Sequence, residues 1–295
     1  MRRGILIDEL GTGFDDMIKE ARAAADLGYR TLWLAERSGW DALTSLAVLG
    51  AAVPGVELGT AIVPTYPRHP LTLAAQALTV QAATGVPLHL GVGVHHRYGI
   101  EGRYGYSFDR PVRHLREYLQ ALNPVLRGEK ADFHGETLTA VGEVTAPGVT
   151  PPSLLVGAVS PQTMRVTGAY ADGVITAWAG PRGLGEFVVP TLTEAAAGRP
   201  APRVISAQLV CVTSDVDRSR AWVEERYGVA ATLPAYRAVL DRDGFERASD
   251  SPIVGDEETV LRKVKSLEDA GATELLVMPF GSAEEQSRTR ELLAA

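Results

Sequence analysis

Eight short apolar segments recur along the chain, and stretches with helical spacing of apolar residues separate them. Each segment is continuously apolar, as expected of a strand that is buried on both faces of a parallel sheet. The segments span residues 5–7, 32–34, 56–63, 88–94, 154–157, 173–176, 204–213 and 275–278. Eight parallel strands that alternate with helices predict a closed (β/α)8 barrel, or TIM barrel, with right-handed crossovers that place the helices outside.

Capping residues indicate where helices begin and end. Asp15 or Asp16 is predicted to cap the first helix, which ends at Gly28. Pro70 suits the first turn of a helix over 71–83, where its missing N–H group costs nothing. Further helices are predicted over 41–52, 111–127, 161–170, 216–230 and 233–241, with a hairpin over 133–144 and a loop before residue 111.

An open doubly wound sheet is the alternative architecture. Such a sheet normally carries a Gly-x-Gly-x-x-Gly phosphate loop after its first strand. Gly11-Thr12-Gly13 has Asp16 at the place of the third glycine, and Gly91-Val92-Gly93 has His96 there, so neither completes the pattern. One barrel domain over residues 1–295 is therefore expected, and insertions after its fourth and seventh strands are expected to shape or cover a pocket.

Charge and cysteine content narrow the classes of partner. A formal net charge of −7 argues against general binding to nucleic acid or to an anionic membrane surface. The single cysteine, Cys211, cannot form a disulfide within the chain, so the reducing cytoplasm is the expected compartment. A small molecule is the expected partner.

The carboxyl ends of the strands form the active-site face of a barrel enzyme. Residues that directly follow the predicted strands are therefore the candidate site residues. They are Asp8, Glu9, Glu36, Arg37, Ile62, His95, His96, Ser160, Trp178, Pro279 and Phe280.

The adjacent histidines are the strongest catalytic candidates. Consecutive side chains point in different directions, so one of His95 and His96 is expected to face the barrel mouth while the other packs or binds backbone. A histidine at the mouth could give a proton to a bound substrate. The alternative is a histidine that only holds its loop by a hydrogen bond. A zinc site is disfavoured because the six histidines lack ligand spacing.

Two further candidates each have a structural alternative. Ser160 is a good N-cap before Pro161, and the free N–H groups of such a helix end bind phosphate, with added support from the hydroxyl of Thr163. A capping role alone, without any bound phosphate, would also explain why a serine occurs at this position. Glu36 could accept a hydrogen bond from a bound ligand or orient a histidine. Its structural alternatives are a salt bridge with Arg37 and a helix cap.

Several motifs occur together and in order along the chain. Gly59-Thr60-Ala61-Ile62, Arg68-His69-Pro70 and Leu90-Gly91-Val92-Gly93 precede the histidine pair, and Tyr104 to Pro111, Ala171-Asp172-Gly173 and Gly271-Ala272-Thr273 follow it. This pattern resembles the luciferase-like flavin and deazaflavin oxidoreductases, and within them the branch that depends on coenzyme F420. The resemblance covers nearly the whole chain.

The resemblance implies a barrel that binds coenzyme F420 across its strand ends and transfers a hydride between carbon five of the deazaflavin and a small organic substrate. The reacting bond would be C=C, C=O or C=N, and a homodimer is expected. An FMN-dependent monooxygenase is the close alternative. A non-catalytic paralogue that only binds the cofactor is a second alternative.

The resemblance also implies roles for single residues. His96, His95 and Glu36 are the expected catalytic residues, although some family members have an acidic proton donor at the position of His96. Ala61-Ile62 matches a bulge in the third strand, often with a non-proline cis peptide, that braces the cofactor ring. The expected cofactor-binding residues are Thr60, Ala61, Ile62, Gly91, Gly93, Val159, Ser160, Pro161, Gln162, Thr163 and Trp178.

Overall fold

The computed structural model describes residues 1–294 and contains one closed parallel barrel with a small separate hairpin. The strands are β1 (Arg2–Leu6), β2 (Thr31–Leu34), β3 (Glu57–Thr60), β4 (Val63–Pro64), β5 (Leu88–Gly93), β6 (Ala131–His134), β7 (Thr139–Gly142), β8 (Ser153–Gly157), β9 (Gly173–Ala177), β10 (Arg203–Val212), β11 (Ile253–Gly255) and β12 (Glu274–Pro279). Around the barrel the order is β1, β2, β3, β5, β8, β9, β10, β12 and back to β1. The predicted barrel of eight parallel strands is confirmed.

Helices lie between the strands on the outside of the barrel. They are α1 (Phe14–Leu27), α2 (Ala42–Ala52), α3 (Pro70–Thr84), α4 (Arg97–Tyr104), α5 (Pro111–Leu126), α6 (Pro161–Tyr170), α7 (Pro181–Gly183), α8 (Val189–Ala195), α9 (Val216–Ala231), α10 (Pro234–Asp243), α11 (Glu257–Asp269) and α12 (Ala283–Leu293). A π-helical turn joins α7 to α8, and a short 3-10 turn precedes β11. None of the helices formed within residues 1–294 has the length and apolar character needed to cross a membrane.

The third predicted strand is interrupted in the structure. Pairing with β2 ends at Thr60, and the peptide bond between Ala61 and Ile62 is cis. The chain then resumes as β4, in which Val63 pairs with Val92 of β5. The bulge that the family resemblance implied at Ala61-Ile62 is therefore present.

Two local predictions were wrong. The stretch expected to be a loop before residue 111 contains α4, because the carbonyl oxygen of His96 accepts the N–H groups of Gly99 and Ile100 and starts a helix that its glycines obscure in the sequence. Asp15 and Asp16 do not cap α1. Gly13 is the N-cap, and the two carboxylates lie in the first turn, where their negative charge interacts favourably with the positive end of the helix dipole.

The amino-terminal end of the barrel is closed by a polar network. Glu274 accepts from the Trp33 indole N–H (3.1 Å) and from Arg203 (2.8 Å). Arg203 in turn contacts Nδ1 of His89 (3.0 Å), whose Nε2 lies 2.7 Å from Glu57. These hydrogen bonds and ion pairs satisfy one another, so the network has a structural role at the end of the barrel opposite the expected active-site face.

Candidate active site

Five strand ends bring candidate residues to one rim of the barrel. Glu36 follows β2, Ile62 follows β3, His96 follows β5, Ser160 follows β8 and Trp178 follows β9. All barrel strands run in parallel, so their carboxyl ends lie on the same face. Glu36, His96 and Ser160 therefore follow strands that end on the same face of the barrel.

Ile62 reaches across two neighbouring strands at this mouth. A Cβ atom added at Gly93, the last residue of β5, would lie 3.0 Å from Cδ1 of Ile62. At Gly157, the last residue of β8, it would lie 3.2 Å from Cγ2 of the same side chain. The two glycines therefore make room for Ile62, which forms an apolar surface over three strand ends.

Thr60 and Gly91 join β3 to β5 one step deeper in the barrel. The Thr60 hydroxyl donates to the carbonyl oxygen of Gly91 and accepts from its N–H, each at 2.8 Å. A Cβ atom at Gly91 would overlap the carbonyl oxygen of Thr60. Since Thr60 is fully buried, these residues support the bulge at Ala61-Ile62 from below.

His95 is held by its own loop. Its backbone is left-handed (φ 61°), its Nδ1 accepts from the N–H of His96 at 2.7 Å, and its ring packs so closely on Gly99 that a Cβ atom there would lie 2.7 Å from Cε1. Burial lowers the pKa of His95, which agrees with an Nδ1 that accepts a hydrogen bond. Its side chain fixes the turn that presents His96.

His96 reaches toward a different part of the chain. Its Nε2 lies 3.2 Å from the hydroxyl oxygen of Tyr236 in α10, and its ring stacks parallel to Tyr98 with 5.6 Å between centroids. Burial, together with nearby His95, lowers the pKa of His96 below its ordinary value. At neutral pH the imidazole is therefore predominantly uncharged.

Aromatic side chains from α9 and α10 complete one wall of the mouth. Tyr236 packs on Trp178 with 4.7 Å between ring centroids, and Tyr227 meets Trp178 edge-on at 5.9 Å. The insertion after β10 thus lies against the ends of β5 and β9. The sequence did not point to Tyr236 or Tyr98 as site residues. Both are aromatic residues in predicted insertions, but no sequence spacing connects them to His96.

Glu36 forms a two-point ion pair with Arg68, at 2.5 Å and 3.0 Å, and accepts from the N–H of Ala42 at 3.2 Å. The alternative of a salt bridge from Glu36 to Arg37 is wrong, because Arg37 binds Glu9 instead (2.7 Å). Glu36 is not the N-cap of α2 either, because Asp41 holds that position and accepts from the N–H of Thr44. These contacts tie the end of β2 to the loop after β4.

The amino terminus of α6 has the predicted cap. The Ser160 hydroxyl accepts from the N–H of Thr163, and the Thr163 hydroxyl accepts from the N–H of Ser160, each at 3.2 Å. Both hydroxyls therefore serve the helix itself. Beside them the half-buried Arg242 donates to the carbonyl oxygen of Val159 at 3.4 Å and lies 3.7 Å above the ring of Phe187.

Arg242 is a cation whose neighbouring carboxylates have other partners. Asp243 accepts from the N–H groups of Gly180 (2.8 Å) and Gly183 (2.9 Å), and Asp241 pairs with Arg237. Burial lowers the pKa of Arg242, a sign that its charge is incompletely solvated. The α6 terminus and this guanidinium together form a positive region on the rim.

Other arginines near the mouth are neutralised by carboxylates. Arg97 pairs with Glu101 at 2.5 Å, and Arg110 pairs with Glu136 at 2.7 Å. Glu136 also pairs with Arg113. The charges of these three arginines are therefore offset by carboxylates, whereas Arg103 donates to a backbone carbonyl group.

Comparison with known proteins agrees with this geometry. Residues 4–274 match the family model for luciferase-like monooxygenases. The chain is 28% identical, over 89% of its length and 90% of the relative's, to a Mycobacterium tuberculosis protein described as a coenzyme F420-dependent oxidoreductase.

Solved structures show the same fold. Coenzyme F420-dependent tetrahydromethanopterin reductase from Methanopyrus kandleri superposes with a TM-score of 0.79 at 20% identity, covering 99% of this chain and 97% of that one. The oxygenating constituent of 3,6-diketocamphane monooxygenase from Pseudomonas putida, solved in complex with FMN, gives 0.80 at 17% identity and covers 100% and 96%. The match over residues 4–274 confirms the resemblance seen in the motifs: the chain belongs to the luciferase-like monooxygenase family.

Proposed function

We propose that this protein is an oxidoreductase that transfers a hydride between coenzyme F420 and a small organic substrate containing a C=C, C=O or C=N bond. The observation that carries the proposal is the presence, on one barrel rim, of an apolar surface at Ile62, a positive region at α6 and Arg242, and the uncharged imidazole of His96. The M. tuberculosis relative supports the choice of cofactor.

The rim fits a flat ring with a phosphorylated tail. Ala61, Ile62 and Gly93 offer an apolar surface, and Trp178 follows another strand on the same rim. In the capping box the N–H groups of Ser160 and Thr163 are already bonded, and Pro161 has none. The N–H of Gln162, the positive end of the α6 dipole and the Arg242 guanidinium are therefore the groups proposed to hold a phosphate. The remaining proposed binding residues are Val159, Pro161 and Gln162, with Thr60 and Gly91 acting as support beneath the ring.

When bound, the deazaflavin supplies the hydride, and the protein contributes position, exclusion of water and a proton. His96 is proposed as the group that protonates the substrate atom next to the one that receives the hydride. His95 and Glu36 act as positioning residues, since His95 holds the backbone of His96 and Glu36 holds Arg68 beside the Ala61-Ile62 bulge. A homodimer in the cytoplasm remains part of the proposal.

An FMN-dependent monooxygenase is the second candidate, favoured by the FMN complex of the P. putida neighbour. Titration with coenzyme F420 and with FMN, followed by absorbance and fluorescence, separates the two. Single-turnover mixing of the reduced deazaflavin with enones, ketones and imines then tests catalysis. Tight FMN binding with oxygen consumption would contradict the first proposal, and F420 binding without oxidation would indicate a non-catalytic paralogue.

A further inference from the structure

His96 meets Tyr236 across the barrel mouth. The hydroxyl oxygen of Tyr236 lies 3.2 Å from Nε2 of His96, and the phenol is packed between that imidazole and Trp178. Tyr236 belongs to α10, in the insertion after β10, whereas His96 follows β5. A residue 140 positions away therefore touches the proposed proton donor.

The protonation states of the two groups define the direction of this hydrogen bond. Burial raises the pKa of Tyr236, with a smaller contribution from Tyr98, and burial with His95 lowers the pKa of His96. Arg103 adds to the lowering of the pKa of His95 and is not among the causes for His96 or Tyr236. At neutral pH a phenol thus faces an uncharged imidazole. A phenol is the better donor and an imidazole nitrogen the better acceptor, so the Tyr236 hydroxyl donates to Nε2.

Accepting at Nε2 leaves the single proton of the neutral imidazole on Nδ1. Within residues 1–294 no hydrogen bond involves Nδ1 of His96, so its N–H remains free to donate to a ligand. In the opposite tautomer, Nδ1 would carry only a lone pair and could not protonate anything. The choice of tautomer therefore decides whether His96 can act as an acid.

We propose that Tyr236 is a positioning residue that keeps the proton of neutral His96 on Nδ1, the nitrogen that serves the substrate. This rests on the proposed role of His96. As the Nδ1–H bond breaks and the substrate gains its proton, the Tyr236 O–H bond breaks and an Nε2–H bond forms. The imidazole stays neutral, and a water molecule protonates the resulting phenolate and leaves as hydroxide, which the buffer neutralises. The hydride and its electron pair come from the reduced deazaflavin.

The inserted helices hold this arrangement through ring packing. Trp178 lies 4.7 Å from Tyr236, and Tyr98 stacks on the other side of the His96 ring. Tyr98 is a matched control, because it touches the same imidazole without forming a hydrogen bond to it.

Nitrogen NMR of the full-length protein with 15N-labelled histidine tests the inference without cofactor or substrate. The His96 signals are assigned from the spectrum of His96→Gln. In the wild type, Nδ1 is expected to carry the proton; in Tyr236→Phe, the ratio of the two tautomers should shift by about tenfold toward Nε2–H, the effect of one lost hydrogen bond. Tyr98→Phe should leave the ratio unchanged.

A wild-type protein with its His96 proton on Nε2, or an unchanged ratio in Tyr236→Phe, would overturn the inference. The wild-type spectrum alone shows which nitrogen of His96 carries the proton, even if Tyr236→Phe folds poorly. In turnover assays Tyr236→Phe should lower kcat about tenfold while the Kd for coenzyme F420 stays within about twofold. Loss of the proposed function would appear separately, as a wild-type protein that binds coenzyme F420 but transfers no hydride.

Discussion

Glu36 and Arg68 form a two-point ion pair in which both side chains are only 13% exposed. The pair joins the end of β2 to the loop after β4, on either side of the Ala61-Ile62 bulge. Arg68 also pairs with Asp41, the N-cap of α2, so one guanidinium connects three segments of the rim. The acidic residue after β2 therefore supports the segment around the Ala61-Ile62 bulge through an arginine.

Substitution Glu36→Gln should lower the free energy of unfolding by about 2 kcal/mol, because a largely buried guanidinium loses its two-point partner but keeps Asp41. Urea unfolding measures the change. Glu136→Gln is the control, since its pairs with Arg110 and Arg113 are exposed and should contribute less than about 1 kcal/mol. Equal losses in the two variants would contradict the structural role of Glu36.

Substitution His96→Ala should lower turnover with coenzyme F420 by about a hundredfold or more, the usual contribution of a general acid. The Kd for the cofactor should change little, because His96 contacts aromatic side chains of the wall. Steady-state kinetics and fluorescence titration give the two values. His134→Ala, on the exposed hairpin, is the control. Turnover that survives in His96→Ala would remove this residue from the mechanism.

Substitution Gly91→Ala should destabilise the protein by about 1–3 kcal/mol or more, the cost of overpacking, because the new methyl group would meet the backbone oxygen of Thr60. Gly102→Ala, within α4, has no atom within 4 Å of the added Cβ and should stabilise the helix by about 0.5–1 kcal/mol. Thermal unfolding compares the two. A tolerated alanine at Gly91 would mean that β3 and β5 are not in the close contact described.

Substitution Arg242→Gln should weaken coenzyme F420 binding about tenfold, the typical effect of one charge-assisted hydrogen bond to phosphate. A deazaflavin that lacks the phosphate should bind equally well to both proteins, and added salt should reduce the difference for coenzyme F420. Arg226→Gln, which removes an arginine packed on Trp222, controls for net charge. Equal losses for both ligands would move the phosphate site away from Arg242.

Acid should destabilise the protein partly through His114. Burial lowers its pKa from 6.5 to about 4 in the folded protein, where its Nε2 lies 3.0 Å from the Thr65 hydroxyl and its ring stacks on Tyr66. The unfolded chain takes up the proton first, so stability falls as pH drops from 6.5 toward 4, by about 3 kcal/mol at most for this group.

The measurement is the pH dependence of the free energy of unfolding. His114→Gln should flatten the curve between pH 7 and pH 4, whereas His134→Gln, at an exposed position, should not. Because other histidines also titrate in this range, the difference between wild type and variant isolates His114. An unchanged slope in His114→Gln would show that the side chain is solvated.

The sequence alone determined the elements whose causes are local. Helix α6 was predicted with its observed bounds because Ser160 caps it and Pro161 fits its first turn. The barrel followed from the number of continuously apolar segments, since only a sheet covered on both faces buries such strands. The bulge at Ala61-Ile62 was expected only from family resemblance.

Only the tertiary structure decided which side chains meet. Arg37 is next to Glu36 in the sequence, yet Glu36 pairs with Arg68. The reason is that closure of the barrel brings the loop after β4, which carries Arg68, beside the end of β2. The different contacts of the His95 and His96 side chains likewise depend on the left-handed backbone at His95 and on Tyr236, which lies in the insertion after β10. Periodicity and capping report interactions among near neighbours, whereas these contacts depend on strand register and on how the inserted helices fold back over the mouth.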